Sequence, residues 1–353
     1  MNTGQLTFTR FIAASFIVFY HFASNLFPSN SEFVQVIREN FSLGVSYFYA
    51  LSGFVMVLAY GNQNRVEPKR YFINRLARLY PLHLFTLGLT IIVSIFVAIN
   101  YLGDYKIDPI SLILNLTLIQ AWFPAYSLTF NVPSWSISVE LFFYLVFPFI
   151  FNQVYKKLKL STFAVIVVLF WIICQVAMNL FYTSTSYGGE NSLDRYFLHY
   201  NPFFHLNTFL VGLLFAGIFK RYEYKLSKNF DFLIILMIPT IAIMIYLFRD
   251  YLLHNGLLAF NFGALILLIA ANKGRITTLF NHRILIHLGN ISFAMYLLQN
   301  PIFIFSRKIS SVLNVQNEYL LFIITFPILL IASHITYRLI EIPWQKKIRG
   351  MYA

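Results

Sequence analysis

Ten stretches of the chain, at about 6–27, 41–60, 79–100, 134–151, 161–182, 203–219, 230–248, 254–272, 284–306 and 318–340, approach the length and apolarity that an α-helix needs to cross a bilayer. Away from water such a segment must satisfy its backbone polar groups internally, and the helix does so. The expected class is all-α, a polytopic integral membrane bundle of ten transmembrane helices. One further apolar segment, 110–122 (ISLILNLTLIQAW), is too short for a comfortable crossing and suits a re-entrant or interfacial piece. The ten runs occupy most of the 353 residues, of which 59% are hydrophobic and 11% charged. A single domain over 1–353, with no separate soluble domain, is therefore expected.

A net charge of +13 would suggest a nucleic-acid partner in a soluble chain. Here the basic residues alternate between loops. With the N-terminus in the cytoplasm, the inner loops and C-terminal tail hold 19 of the 26 Lys and Arg. Making 110–122 a full crossing would invert every later loop and scatter the positive charge to both sides, against the positive-inside rule. Ten crossings with both termini inside and no nucleic-acid partner is the consistent reading. The N-terminus MNTGQLTFTR lacks the basic region and cleavage pattern of a signal peptide. Cys174, the single cysteine, lies in an apolar run and offers neither a disulfide nor a metal site.

An ionisable group inside a crossing costs about 2.5–3.5 kcal/mol on insertion scales, so each one is a functional candidate. Arg10, His21 and Glu140 stand out. Eleven residues at about 100° each leave Arg10 and His21 within roughly 20° of one face and about 16 Å apart along the axis. Arg10 is expected near the cytoplasmic surface and His21 deep, towards the outer leaflet. Counted from the outer ends of their spans, His21 and Glu140 share a depth of about six residues. A carboxylate there would orient the imidazole and stabilise its cation. The structural alternative is a buried acid satisfied by Ser52 or Ser136.

Arg70, Arg75 and Arg78 precede the third span on the inner face, in KRYFINRLARLYP. Flanking arginines are what the positive-inside rule supplies in any case. The i, i+3 spacing of Arg75 and Arg78 also forms a cation pair suited to phosphates. The remaining histidines show no metal-site spacing, so no metal is expected. P-loop, Rossmann and nucleophile-elbow patterns are absent as well.

In order along the chain, Arg10-x10-His21, GVSYFYALSGF (44–54), RLARLYPL (75–82), WSISVELFFYLVFP (135–148), LGNISFAMYLLQNP (288–301) and RLIEIPW (338–344) together resemble the membrane-bound acyltransferase 3 family. The family's members acylate exported carbohydrates. The resemblance implies a ten-helix bundle in the bacterial inner membrane, a cytoplasmic acyl-CoA donor (usually acetyl-CoA) and catalysis by the residue at His21. A glycan such as lipopolysaccharide or exopolysaccharide on the outer side is the implied acceptor. With that donor and acceptor, the expected site has Arg10, Arg70, Arg75, Arg78 and Ser52 with the donor, Trp135, Ser136 and Gln299 with the acceptor, and Glu140 beside His21. The chain departs from the family at Gly44-Val45-Ser46, where an acid after the glycine is common, and at Gln299, where a histidine is common.

The expected reaction has the donor's phosphates on the inner arginines and its pantetheine arm running past Arg10. His21 then acts as general base for a sugar hydroxyl. Direct attack and an acyl-histidine intermediate both remain open. The competing class is a transporter or flippase of a polysaccharide precursor, since charges lining a bundle also mark substrate paths. Matched broken helices and an inverted repeat, which that class favours, are absent.

Overall fold

The computed structural model describes residues 4–23, 26, 29–99, 106–314 and 317–351. In these the chain is helical: α1 Gly4–Phe22, α2 Glu32–Glu39, α3 Gly44–Tyr60, α4 Pro68–Val97, α5 Pro109–Leu116, α6 Trp135–Phe149, α7 Leu160–Tyr182, α8 Leu193–Tyr200, α9 Leu206–Leu226, α10 Asp231–Leu247, α11 Ala259–Ala271, α12 Arg275–Phe280, α13 Arg283–Val312, α14 Glu318–Thr336 and α15 Ile342–Gly350. Seven helical stretches, containing α3, α4, α6, α7, α9, α13 and α14, are long and apolar enough to cross a membrane. The apolar helices α10 and α11 are shorter, and α1, interrupted by Gln5, Arg10 and His21, is not among the seven. The all-α membrane class is borne out, while length and composition support seven crossings, short of the ten expected.

The Lys- and Arg-rich connections gather at one end of the bundle. Lys156 Nζ donates to the Gly61 carbonyl at 3.0 Å, Lys220 Nζ to Asn62 Oδ1 at 2.5 Å, and the Lys273 N–H to the Lys228 carbonyl at 2.9 Å. At the opposite end, Tyr246 donates to Glu32 at 3.1 Å and Asn255 to the Leu198 carbonyl at 2.7 Å. Ser46 there donates to the His254 carbonyl.

Glycine lets the central helices touch. A Cβ on Gly53 would fall on the Phe209 carbonyl of α9, and one on Gly212 would fall on the Ala50 carbonyl of α3. Helices in lipid gain no hydrophobic drive from one another, so small residues that admit backbone contact join them. α1 meets α13 in the same way, with Gly289 against the Thr7 carbonyl. That contact lies one turn from Arg10. At the start of α3, a Cβ on Gly44 would lie 2.7 Å from the Ala13 carbonyl oxygen and 3.0 Å from Ile17, so this level of α3 matches the middle of α1.

Segment 106–134 does not form a crossing helix, as its length implied. α5 has eight residues and is capped by Asp108, which accepts from the Ser111 hydroxyl at 2.6 Å and the Ser111 N–H at 2.9 Å. These bonds hold the Asp108 carboxyl below its ordinary pKa. Leu118, at a left-handed φ of 56°, turns the chain back. Short 3₁₀ turns follow at Gln120–Trp122, Pro124–Tyr126 and Val132–Ser134. Asn131, fully buried, donates its side-chain amide to the Leu297 carbonyl at 3.0 Å. Pro301, four residues further along α13, has no N–H for that carbonyl, and the loop supplies the missing donor.

Two helix ends differ from expectation and shift depths. α1 ends at Phe22 rather than near 27, so His21 lies in its last turn. α4 begins at Pro68 rather than 79, which places Arg70, Arg75 and Arg78 on the helix itself. The expected span ends and outer loop at 24–25, 27–28 and 100–105 lie outside the described residues.

Candidate active site

Five helices each turn one face to a common chamber of about 970 Å³ of empty space, including its opening. α1 contributes Leu6, Thr7 and Arg10, and α4 contributes Arg75 and Arg78. α3 supplies Val45, Tyr49, Ser52 and Met56, and α6 supplies Ser136, Glu140 and Tyr144. From α13 come Ser292, Phe293 and Tyr296. Steps of three and four within each set are what one helical face presents. Arg10, Arg75, Arg78, Ser52, Ser136 and Glu140, singled out from the sequence, are thus brought together.

The chamber is electropositive. Among the described residues, none of its three guanidiniums lies within ion-pair distance of a carboxylate, and the ion pairs Arg195–Glu190 and Arg249–Glu32 lie elsewhere. Arg75 is instead surrounded by aromatic faces, with its guanidinium carbon 5.3 Å from the Tyr60 ring centroid and 5.5 Å from those of Tyr71 and Tyr144. Such contacts contribute about 0.5–2 kcal/mol each; Tyr60 also hydrogen-bonds the guanidinium, while the buried Nε has no partner among the described residues and is left for an anion. Arg10 feels the charges of Arg78, Glu140 and Glu341. Glu341 is 6% exposed, stands on a π-helical turn at Tyr337–Glu341, and its Oε2 has no hydrogen-bond partner among the described residues. Sequence reasoning did not name it as a site residue, although an acid closing the last apolar run was a visible signal.

Away from the arginines the lining becomes hydroxyl-rich. Tyr144 donates to Glu140. Ser136 Oγ lies 2.8 Å from the Tyr296 hydroxyl, and the Pro133 carbonyl is within reach of both, at 3.0 and 3.1 Å. Trp135 does not line the chamber. It packs against Tyr200 at 4.8 Å, His254 at 5.5 Å and His205 at 5.6 Å between ring centroids. Gln299 is fully buried, donates to the Tyr296 carbonyl at 2.8 Å and stands behind the lining. Tyr49, Tyr144 and Tyr296 also went unnamed from sequence, because a chain with 23 Tyr gives no local sign of which ones face inward.

Arg70 and His21 lie outside the lining. Arg70 is exposed in the first turn of α4. His21 is exposed in the last turn of α1, beside Phe22, which stacks on Phe303 at 4.0 Å and lies under the Arg307 guanidinium. The expected shared depth of His21 and Glu140 does not hold. α6 starts below the bundle's end, with Ser134 and Trp135 already buried, while α1 stops just past His21. Six residues from the start of α6 therefore reach the level of Arg10, not that of His21. The chamber's Val45 end is level with Ala13–Ile17 of α1, leaving His21 about 6 Å further along the axis. Among the described residues no group of three His, Cys, Asp or Glu is arranged to hold a metal ion.

O-acetyltransferase OatA of Staphylococcus aureus is 25% identical over 330 residues, covering 86% of the chain and 53% of the relative. Putative peptidoglycan O-acetyltransferase YrhL of Bacillus subtilis is 23% identical over 327 residues, 85% of the chain and 50% of the relative. Acyltransferase MdmB of Streptomyces mycarofaciens is 32% identical over 157 residues, 43% of the chain and 40% of the relative. The chain thus matches about half the length of these relatives. No solved structure matches it. The family model of an acyltransferase domain matches residues 4–338, from the first residue of α1 into the turn that carries Glu341, and the chain belongs to this acyltransferase 3 family.

Proposed function

We propose that the protein is an integral membrane O-acyltransferase that moves an acyl group, acetyl in the first instance, from acyl-CoA to a hydroxyl of a glycan. The observation that carries this reading is the chamber with three arginines free of ion pairs, Arg10 among them on the helix that ends at His21. A nucleotide diphosphate suits Arg75 and Arg78, with exposed Arg70 at the rim for an outer phosphate. The pantetheine arm would run past Arg10 and Ser52 and bring the thioester beyond Val45 to the level of His21. There His21 accepts the proton of the acceptor hydroxyl, and the oxygen attacks the thioester carbonyl. The C–S bond breaks, and the leaving thiolate takes the proton from the imidazolium. Glu140 serves on the donor side in this arrangement, setting Arg10. Trp135, Ser136 and Gln299 shape the acceptor end.

The O-acetyltransferase names of the relatives support a carbohydrate acceptor, peptidoglycan or another envelope glycan. The gathering of Lys and Arg at one end supports a cytoplasmic donor side in a bacterial plasma membrane with both termini inside. Purified full-length protein in nanodiscs, given acetyl-CoA and envelope glycan fragments, tests the reading through thiol release. Acceptor-dependent release that disappears in His21→Ala is expected. Glycan movement across the bilayer without thiol release would replace it with transport.

A further inference from the structure

Tyr49 is 3% exposed, and among the described residues its hydroxyl has no hydrogen-bond partner. The other deeply buried tyrosines of the same core each have one: Tyr47 donates to Thr9 at 2.6 Å, Tyr71 to the Met56 sulfur at 3.6 Å, Tyr144 to Glu140, and Tyr296 pairs with Ser136. Packing does not require the Tyr49 hydroxyl. The ring meets Phe143 edge-on at 5.1 Å and His205 at 5.0 Å, contacts that phenylalanine would make equally well. A buried hydroxyl without a partner destabilises the empty protein, so its retention points to a ligand. The residue lines the chamber between Val45 and Ser52, within electrostatic range of Glu140 and Tyr296.

Depth selects which part of a ligand it meets. Tyr49 lies four residues, about 6 Å, from Val45 towards the basic end, and thus about 12 Å below His21. At roughly 1.2 Å per bond, the amide carbonyls of an extended pantetheine arm lie about 5 and 10 Å from its sulfur. We propose that the Tyr49 hydroxyl donates a hydrogen bond to an amide carbonyl of the donor's pantetheine arm, the one nearer the diphosphate; this rests on the acyl-CoA reading above.

The test compares wild type and Tyr49→Phe, as purified full-length protein in detergent, for binding of coenzyme A and of adenosine 3′,5′-bisphosphate, which lacks the arm. The variant is expected to bind coenzyme A about two- to tenfold more weakly. Its affinity for the bisphosphate should equal that of wild type, and its thermal midpoint should be no lower. Equal coenzyme A binding by the two proteins overturns the proposal while leaving the donor reading intact. A lowered midpoint with both ligands weakened alike makes Tyr49 structural and also overturns it. Failure of wild type to bind either ligand overturns the donor reading, and the proposal with it.

Discussion

The Tyr144 hydroxyl donates to the Glu140 carboxylate from one turn further along α6. The same ring lies 5.5 Å from the Arg75 guanidinium, so one side chain touches both the acid and a phosphate-binding candidate. Tyr144→Phe keeps the aromatic face and should leave coenzyme A affinity within about twofold. Tyr144→Leu removes a cation–π contact and should weaken it by about two- to fivefold. Equal affinity in both variants would show that the ring does not hold Arg75.

Glu140 lies within electrostatic range of Arg10, and the two sit in one chamber. Glu140→Gln should therefore raise the donor KM by about three- to tenfold while kcat changes little. An acid that serves His21 directly would do the reverse, lowering kcat at unchanged donor KM. Steady-state kinetics at varied acetyl-CoA separates the two.

Asn131→Ala should cost about 1–3 kcal/mol, because it leaves the buried Leu297 carbonyl without a donor beside Pro301. Asn131→Asp, which as a carboxylate cannot donate, should cost at least as much above the pKa of the buried acid. Thermal unfolding in detergent measures both, and a midpoint equal to wild type in either would remove this bond from the account of how α6 is placed.

The apolar runs made the helical class legible, and the cost of charge in lipid picked out Arg10 and Glu140, which the fold does bring into one chamber. Depth was less legible. Counting residues from a hydropathy boundary treats each helix as starting at the membrane edge. α6 starts below it, because the Asn131–Leu297 bond draws the preceding loop inward. α1 ended five residues earlier than its apolar run, which moved His21 to the rim. Arg75 gave a phosphate-like spacing in sequence, and Tyr71 stands one turn before it on α4, but Tyr60 of α3 and Tyr144 of α6 meet it only in the fold. Glu341 was passed over because it sits at the margin of the last run, where acids are ordinary.

In the proposed mechanism Arg10 and His21, on one face of α1, serve two parts of one extended donor. Coenzyme A binding and acetyl transfer by His21→Ala and Arg10→Ala, each in nanodiscs, test it most directly. His21→Ala should bind coenzyme A as wild type does while kcat falls by roughly 10²–10⁴. Arg10→Ala should bind it more weakly and regain part of its activity at high acetyl-CoA. Loss of coenzyme A binding in His21→Ala, or full turnover by that variant, would contradict the claim.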